Sequence, residues 1–587
     1  MEFSQKHPKA LVLLLIAIGI IIYSNSLGGK FVWDDYMNVR DNTYIQNWNH
    51  LPEIFTQNIG AGSGQDNAYY RPIVTFTYLI SFALHGFNEM GYHLVNVGLH
   101  ILVALAIFCL VTILFKHKIL SFITSLLFLV HPVQVETVSY ISARGELIFA
   151  LTMVLTLIWY AKWLSRPKII FYVAMMISYL CALLSKESSV VLPALLILYH
   201  VSFRKKFRVL PFLSLSGLVA AYFLLRFCIL RFPGLSQEWF ATSYQRVPGF
   251  FVAVLNYIRI LFFPFGLRHG YGGSNTIFAI SDPRVWVGFM VVCMLIFYAF
   301  KKKKVNPLIF FSVGWFFVSL APNSNIYPPM PFYMAEHHIY LPSIGLFLLL
   351  AFVLHSLCRK ANLKKIMFVV VILLVSFYSF VTIKQNIYWR DPIEMYKKTV
   401  KLSPDNERAY LCMGMAYYEI GEYDKAIDSL EKAIAINPAD SRVHYDLGLF
   451  YSIIGEYDQS IVSYKKAIEI NPEFCEAYNN LGAVYYKIGE VHKAIGFLVK
   501  AVEQTDDYTQ AWSNLGSAYA TLARYPEAIE SFKKVIELDP NHVQAYYDLA
   551  QVYYNKKQRH QAEQYYNKAQ SLGLIHNNLP QKPNPYR

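Results

Sequence analysis

Charged residues are scarce in this chain of 587 residues. Only 16% of its residues are Asp, Glu, Lys or Arg, whereas soluble globular domains average about 25%. The shortage is confined to residues 1–390, where long apolar runs give the whole chain a mean hydropathy of +0.32. The residues after 390 have the composition of an ordinary soluble helical protein. This contrast excludes a single soluble domain and predicts at least two domains, the first of them in a membrane.

Cysteine is also rare, and its spacing excludes two classes of site. The seven Cys are scattered without a C-x-x-C pair, so the sequence predicts neither a zinc site nor a redox dithiol. The net charge is +14, which in a soluble protein would suggest nucleic-acid binding. Here the basic clusters at 204–206, 301–304 and 359–365 lie between apolar runs, as cytoplasmic loop anchors do. No nucleic-acid partner is expected.

Long uncharged runs predict a polytopic membrane domain of about 11 transmembrane helices. When the N-terminus and the basic clusters are placed in the cytoplasm, an odd number of crossings puts the C-terminal part outside it. Two further apolar runs, 72–88 and 247–267, are then expected to lie along the interface, and the first run to be an uncleaved signal-anchor. The eleven runs are 10–29, 91–115, 119–135, 147–161, 169–185, 188–203, 209–225, 285–300, 305–335, 337–358 and 366–383.

Glycine recurs every 34 residues in the C-terminal part, at Gly414, Gly448, Gly482 and Gly516, with Ala550 in the next register. This is the tetratricopeptide pattern, in which each repeat has two antiparallel helices and a small residue where they touch. Five such repeats bury a continuous stacked core, and their concave surface commonly holds an extended peptide. The predicted repeats are 406–439, 440–473, 474–507, 508–541 and 542–575, within a domain 391–575 that a flexible tail, 576–587, follows.

Two adjacent carboxylates, Asp34 and Asp35, lie just beyond the first apolar run. Neighbouring carboxylates repel one another, which raises the pKa of one of them and makes it a usable general base. The alternative is a solvated turn or a helix N-cap. These residues alone leave both interpretations open.

Other polar groups also interrupt the apolar runs, and ionisable side chains at membrane depth are candidates for function. Arg71 either binds a phosphate or anchors the chain at the interface. Lys186 and Glu187 form either a surface ion pair or a contact to a lipid phosphate. Glu336 precedes two adjacent His, of which His337 is the first. A metal site there is weakly indicated, because adjacent His on a helix point in different directions.

The segment 130–147, VHPVQVETVSYISARGEL, places four ionisable side chains around one outer turn. His131 precedes Pro132 and is either a histidine at a helix kink or a ligand for sugar. Glu136 and Arg144 either pair to close the loop or, with Glu146, bind sugar hydroxyls and a phosphate. Together with the preceding groups, these residues suit a phosphate-linked lipid donor and a hydroxyl acceptor.

The motifs of the chain occur in a recognisable order: FVWDD, YYRP, HLVNVGLH, VHPVQVE with ARGEL, SKE, APNSN and AEHHIYLPS, then the tetratricopeptide repeats. This order resembles the TMTC family, transmembrane O-mannosyltransferases with such repeats, within the GT-C glycosyltransferase fold. The resemblance covers nearly the whole chain. It implies an all-α architecture in which a GT-C-type membrane domain, 1–390, is followed by an α-solenoid.

The resemblance also implies a reaction. A sugar, mannose in the family's characterised members, would move from a polyprenyl-phosphate donor in the membrane to a Ser or Thr hydroxyl of an acceptor protein held by the repeats. One inverting displacement would use Asp34 or Asp35 as the base. No cofactor is expected, with a divalent metal left open. The implied donor-phosphate ligands are Arg71, Arg144 and Lys186, and the implied sugar or acceptor ligands are His131, Glu136, Glu146, Glu187, Glu336 and His337.

The sequence departs from the family pattern in two places. His337 stands where the family commonly has Arg, and Arg144-Gly145-Glu146 replaces an Arg-Ala-Asp turn. The chain also has no Asn-x-Ser/Thr glycosylation acceptor, which favours a bacterial inner membrane with periplasmic repeats over an endoplasmic reticulum membrane with lumenal repeats. Two other functions stay open: sugar transfer to a lipid or glycan, and a non-catalytic scaffold for envelope assembly.

Overall fold

The computed structural model describes residues 8–64, 69–232, 237–272, 276–326, 332–358 and 364–573. Within these ranges the chain consists of α-helices joined by short 3-10 and π turns, and its one β-type pairing is an isolated bridge between Tyr271 and Met334. The all-α prediction is confirmed. The chain divides into two compact units, residues 1–406 and 407–587.

The division falls after Asn406, whereas the sequence predicts a domain boundary between residues 390 and 391. The helix Pro392–Leu402 belongs to the first unit, where it contacts the helix before it. The predicted tail, 576–587, lies outside the described residues. The helices of the first unit are α1 Pro8–Tyr23, α2 Leu51–Thr56, α3 Pro72–His85, α4 Glu89–Phe115, α5 Lys118–Val130, α6 Val135–Ser139, α7 Arg144–Ser165, α8 Ile169–Leu183, α9 Leu192–Phe203, α10 Val209–Phe223, α11 Gln237–Phe262, α12 Pro283–Lys302, α13 Pro307–Leu320, α14 Ser343–Cys358, α15 Lys364–Arg390 and α16 Pro392–Leu402.

Several of these helices begin at an Asp or Asn followed by Pro. Asp282, Asn306 and Asp391 each cap a helix, accepting a hydrogen bond from the backbone N–H two residues ahead at 2.9, 3.2 and 2.9 Å. Pro then occupies the first helical position, where its missing N–H is not needed and its fixed φ suits the helix. The starts of α12, α13 and α16 are therefore encoded locally.

The first unit belongs to a multi-pass membrane protein. Six of its helical segments are long and apolar enough to cross a bilayer: Lys9–Gly28, Glu89–Phe115, Ile141–Ser165, Val209–Ile229, Pro283–Lys302 and Lys365–Arg390. A seventh crossing arises if the bent pair Lys118–Val130 and Pro132–Ser139 counts as one span.

The other four predicted spans form apolar helices of 10 to 17 residues. A helix of 15 residues, such as α8, is about 22 Å long, against about 30 Å for the hydrocarbon core. By length and composition, six described segments, or seven with the bent pair, are long enough to cross a bilayer, and the count of eleven crossings stays a prediction. The run 72–88 forms the 14-residue helix α3, and 247–267 falls mostly in α11, which contains Pro248.

The helix break at His131 positions part of the candidate site. The two halves of the bent pair differ in direction by 55°. His131 is extended, with φ −75° and ψ 130°, because a following Pro disfavours helical backbone. Its buried imidazole secures the break, since Nδ1 accepts from Val133 N at 3.2 Å and Nε2 lies 3.1 Å from the Leu261 carbonyl oxygen. The chain then turns into α6, which carries Glu136.

The second unit is a stack of five two-helix repeats, as the 34-residue period predicts. Within each repeat the first helix crosses the second where a small residue lies. A Cβ on Gly482 would lie 2.7 Å from Leu498 Cγ, and one on Gly448 would lie 2.8 Å from the Tyr464 ring. The helices are α17 Glu407–Glu419, α18 Tyr423–Ile436, α19 Ser441–Ile454, α20 Tyr457–Ile470, α21 Cys475–Lys487, α22 Val491–Gln504, α23 Thr509–Thr521, α24 Tyr525–Leu538, α25 Val543–Asn555 and α26 Arg559–Ser571.

Candidate active site

Asp35 is completely buried and fixes the loop after the first apolar helix. Its Oδ1 accepts a hydrogen bond from Ser142 N at 2.7 Å, and its Oδ2 accepts one from Val32 N at 3.1 Å. Burial raises the pKa of Asp35 to about 7, against the lowering effect of these bonds. The carboxylate therefore ties its own loop to the start of α7.

Asp34 lies on the same loop but is partly exposed. Its backbone N–H points to the Tyr140 hydroxyl at 3.3 Å, and its carbonyl accepts from Asn38 N at 2.8 Å. The preceding residue, Trp33, has a φ of +54°, a left-handed conformation that costs a non-glycine residue about 1 kcal/mol or more. Trp33 N donates to the Tyr396 hydroxyl at 3.1 Å, so α16 holds this strained loop in place.

A buried carboxylate, Glu136, joins two histidines. Its Oε1 lies 2.7 Å from His269 Nδ1 and 3.0 Å from His337 Nδ1. Its Oε2 accepts from the His337 backbone N–H at 3.2 Å. The carboxylate fixes both rings through Nδ1, which directs each Nε2 away from it. Burial lowers the pKa of His337, although Glu136 opposes that shift.

A second carboxylate, Glu336, is also buried nearby. Its Oε1 accepts from Arg268 N at 2.7 Å and from the Tyr271 hydroxyl at 2.8 Å, while its buried Oε2 has no hydrogen-bond partner among the described residues. Burial, together with the charge of Glu136, raises the pKa of Glu336 to about 8. The two carboxylates therefore differ in protonation, with the proton on Glu336 at neutral pH.

Two further cations are held by carboxylates of the first unit. The ammonium of Lys186 pairs with Glu146, and both groups are buried. Arg71 donates from Nε and Nη2 to a single oxygen of Glu187, at 3.2 and 2.9 Å, and keeps 23% of its side chain exposed. Arg226 approaches the other oxygen of Glu187 at 4.0 Å.

These groups form one neighbourhood. The Trp33 ring centroid is 4.3 Å from that of His269, which joins the Asp34 loop to the Glu136 cluster. Burial lowers the pKa of His338, as do the neighbouring charges of His337 and Lys186, so Lys186 is within electrostatic reach of that cluster. The arrangement is a partly exposed carboxylate on a fixed loop, joined through Trp33 to a cluster of imidazoles that has Lys186 within electrostatic reach.

Two predicted site residues are bonded elsewhere. Arg144 is fully buried, donating from Nε to Asn96 Oδ1 at 2.9 Å, from Nη1 to Ser81 Oγ at 2.9 Å and from Nη2 to the Tyr92 carbonyl at 3.1 Å. All three guanidinium nitrogens of Arg144 therefore bond to α3 or α4 and hold α7 against these helices. The ion pair with Glu136 that the sequence left open does not form. His131 is buried in the helix break described above.

Sequence reasoning missed the loop that supplies His269, Arg268 and Tyr271. The signal was present in residues 268–272, RHGYG, which are polar and follow an apolar run. Gly270 and Gly272 both have positive φ, +65° and +80°, conformations that glycine adopts without strain. No group of three or more His, Cys, Asp or Glu suited to a metal ion occurs among the described residues.

Family comparison supports the repeat assignment. A TPR repeat model matches residues 414–453 and 451–489, and two tetratricopeptide repeat models match residues 509–542 and 531–564. Among solved structures, the crystal structure of MamA aligns with 27% of this chain and 94% of its own, at 29% identity and a TM-score of 0.27.

Curated relatives extend the similarity into the first unit. Protein O-mannosyl-transferase F38B6.6 of Caenorhabditis elegans is 27% identical over 421 residues, covering 69% of this chain and 59% of that protein. Protein O-mannosyl-transferase TMTC1 of Homo sapiens is 25% identical, covering 69% and 52%, and TMTC3 of Mus musculus is 22% identical, covering 71% and 50%. The chain is a homologue of the TMTC proteins. It spans about half the length of these TMTC relatives, and the resemblance inferred from its motifs is confirmed.

Proposed function

We propose that this chain is a membrane glycosyltransferase that moves mannose from a polyprenyl phosphate to a Ser or Thr hydroxyl of an acceptor protein. The names of the TMTC relatives support transfer of mannose to protein. The observation that carries the chemistry is the partly exposed Asp34 on a loop that buried Asp35 fixes in position. No metal or other cofactor is included in the proposal.

Asp34 is the proposed general base. A base must reach the proton that it removes, and Asp35 is fully buried with both oxygens bonded to backbone N–H groups. Asp34 accepts the proton of the acceptor hydroxyl as that oxygen bonds to the anomeric carbon. The bond from the anomeric carbon to the phosphate oxygen breaks on the opposite face, which inverts the configuration. Asp35 holds the loop and is a positioning residue.

Arg71 is the proposed ligand of the departing phosphate. Its Nε and Nη2 are occupied by Glu187, and its remaining donors and exposed surface leave it able to contact an oxyanion. Lys186 and Arg226 add positive charge, which stabilises the phosphate as negative charge develops on it. Arg144 supports this site by positioning α7, because its nitrogens are bonded within the core.

The Glu136 cluster is proposed to bind the sugar or the acceptor. His337 keeps 23% of its side chain exposed, and its Nε2 points away from Glu136. Imidazole Nε2 can exchange a hydrogen bond with a hydroxyl group. The remaining predicted residues have positioning or structural roles. The carboxylates position the side chains and loops that they bond, and these carboxylates are Glu336, Glu146 and Glu187. His131 has a structural role at the helix break.

The direct test is transfer by the purified full chain in lipid nanodiscs. Radiolabelled undecaprenyl-phosphate mannose and a Thr-containing peptide are supplied together, with GDP-mannose as the alternative donor. Label in the peptide from the lipid donor alone supports the proposal, whereas label in lipid or glycan would favour the second enzymatic function. A folded protein that transfers nothing would favour the scaffold.

Sugar transfer is proposed to take place outside the cytoplasm, in the bacterial periplasm or the endoplasmic reticulum lumen. Cys substitutions at exposed Asn47 and exposed Asn541 test this placement, because one lies on the Asp34 side of the first unit and the other lies in the repeats. A membrane-impermeant maleimide should label both from the outer face of intact cells. Labelling of one site and protection of the other would contradict the placement.

A further inference from the structure

Four short segments at helix ends of the first unit carry twelve Lys and Arg and no Asp or Glu. We call these four segments together the basic end. Their charge is not balanced nearby in the sequence, because every Asp and Glu lies at least 17 residues from any of them. The segments are 116–118, 166–168, 204–208 and 301–306.

The segments come together because the helices that they join pack at this end. Helices α4 and α9 end at Phe115 and Phe203, whose ring centroids are 5.5 Å apart. The Phe203 ring is also 5.3 Å from that of Phe311, near the start of α13. The Tyr160 hydroxyl lies 2.6 Å from His200 Nε2, which brings the last turns of α7 beside α9. The basic end is therefore one surface rather than four separate loops.

This surface lies away from the candidate site. Helix α7 begins at Arg144 and ends at Ser165, and α9 follows the turn that carries Glu187 and ends at Phe203. With 22 residues, α7 is about 33 Å long. That length is several times the Debye length of about 8 Å at physiological salt. The carboxylates of the site therefore do not neutralise the basic end.

The segment 204–208, RKKFR, has a shape that its neighbours fix. His200 Nδ1 donates to the Lys205 carbonyl oxygen at 3.1 Å, since a carbonyl can only accept. The Phe207 ring packs on the rings of His200 and Phe212, each at 5.1 Å between centroids. All four cations of the segment are exposed, and so is Phe207. The segment thus presents a cationic surface that does not need to be ordered by a ligand.

Exposed apolar side chains adjoin three of the four segments. Ile169 begins α8 directly after Lys168 and is 75% exposed, and Val209 begins α10 directly after Arg208 and is 59% exposed. Val305, within the fourth segment, is 80% exposed. In a membrane protein such side chains meet lipid acyl chains, and cations beside them lie at the level of the headgroups. An anionic phospholipid offers the matching pair of groups, a phosphate next to acyl chains.

From this placement we infer that the basic end binds the headgroups of anionic phospholipids, with segment 204–208 as the main contact. Each Lys or Arg near a membrane surface adds to the attraction of anionic lipid, and a guanidinium can bond two phosphate oxygens at once. A soluble anion would meet the same charge without the apolar contact. The basic end is separate from the candidate site, so lipid binding here does not depend on the proposed function.

The first test compares two lipids on the unmodified full chain. Phosphatidylglycerol and phosphatidylcholine, each labelled on an acyl chain with a fluorophore, are titrated onto the purified protein in dodecyl maltoside micelles. The chain should bind phosphatidylglycerol about ten-fold or more tightly. Raising NaCl from about 0.1 M to about 1 M should remove most of this preference, because the Debye length falls from about 10 Å to about 3 Å. Equal affinities for the two lipids would overturn the inference.

A pair of variants with the same change in charge assigns the preference to the segment. Arg204→Gln/Lys205→Gln/Lys206→Gln/Arg208→Gln should bind phosphatidylglycerol about ten-fold or more weakly than the parent and phosphatidylcholine within about two-fold of it. The matched control, which should bind both lipids within about two-fold of the parent, replaces by Gln four exposed Lys of the repeats: Lys425, Lys432, Lys465 and Lys493. An equal loss in both variants, or no loss in the first, would contradict the assignment. Circular dichroism checks that both are folded.

Two further arms separate charge from shape and lipid from free phosphate. Arg204→Lys/Arg208→Lys keeps every charge of the segment and should bind phosphatidylglycerol within about three-fold of the parent. A loss as large as that of the Gln variant would refute recognition by charge. Millimolar inorganic phosphate should not displace the labelled phosphatidylglycerol, because it has no acyl chains. Displacement would indicate a site for a free anion and would refute the lipid site.

Discussion

Lys186 pairs with Glu146, which is 40 residues away, rather than with its sequence neighbour Glu187. Glu187 instead holds Arg71, 116 residues away. Two of the three cations proposed to stabilise the leaving phosphate, Lys186 and Arg71, are therefore fixed by partners on other elements. This crossed arrangement joins α7, the segment before α3 and the turn before α9.

The buried Lys186–Glu146 ion pair predicts that substitutions of its two residues have strongly non-additive effects on stability. Lys186→Met should lower the free energy of unfolding by about 3–5 kcal/mol, because it leaves the Glu146 carboxylate buried without its cation. Adding Glu146→Gln to Lys186→Met should recover much of that loss. Denaturant unfolding of the single and double variants in detergent measures the coupling, and simple additivity of the two losses would contradict the pairing.

The buried carboxylate of Asp35 predicts a pH-dependent stability. Its pKa is raised from 3.8 to about 7, so between about pH 4 and pH 7 the folded chain keeps a proton that the unfolded chain has lost. The stability that this proton contributes must fall as pH rises through that window, by an amount on the order of 4 kcal/mol, and stay level above it. Thermal unfolding of the parent and Asp35→Asn at pH 5 and pH 7.5 checks this. The parent should lose more stability than the variant, and parallel losses would refute the raised pKa.

The two buried glutamates should respond differently to the same substitution. Glu336 is protonated at neutral pH, so Glu336→Gln should retain transfer within about three-fold and unfold near the parent. Glu136 accepts three hydrogen bonds from two histidines, so Glu136→Gln should lose at least one acceptor and lower stability by about 1–3 kcal/mol. Equal effects of the two substitutions on transfer and melting would argue against different protonation states.

The repeats offer a matched pair of glycines. Gly482→Ala should destabilise the chain by about 1–3 kcal/mol, since the added methyl group would meet Leu498 and the Ala494 carbonyl in the facing helix. Gly496→Ala, at a helix position where an added Cβ would have no atom of the described residues within 4 Å, should stabilise the chain by about 0.5–1 kcal/mol. The free energy of unfolding of the repeats should therefore fall in Gly482→Ala and rise in Gly496→Ala. A change of the same sign in both variants would contradict the packing.

The sequence predicts the repeats well because their information is local: a 34-residue period specifies where each glycine lets two helices touch. It also predicts several of the segments that meet at the candidate site, since polar residues in apolar surroundings are conspicuous. It does not predict partners, because Glu136 meets His269 only after the helix break at Pro132 and a distant glycine-rich loop converge. The sequence likewise does not show that Arg144 is bonded within the core rather than to a phosphate, because its buried partners come from two other helices.

The sequence does not predict where the helices within the apolar runs end. An uncharged run gives no account of a helix terminus, and several runs end at a turn. The run 305–335, for example, contains the 14-residue helix α13, which a short 3-10 turn extends to residue 323. The number of crossings therefore stays a prediction.

The most direct measurement of the central claim is the rate of mannose transfer by Asp34→Asn in nanodiscs, with donor binding and melting temperature recorded for the same sample. Asp41→Asn, an exposed Asp on the same loop, is the matched control. The account predicts a loss of at least about 100-fold for Asp34→Asn with donor binding and folding retained, and transfer within about two-fold of the parent for Asp41→Asn. Transfer by Asp34→Asn at the parental rate would contradict it.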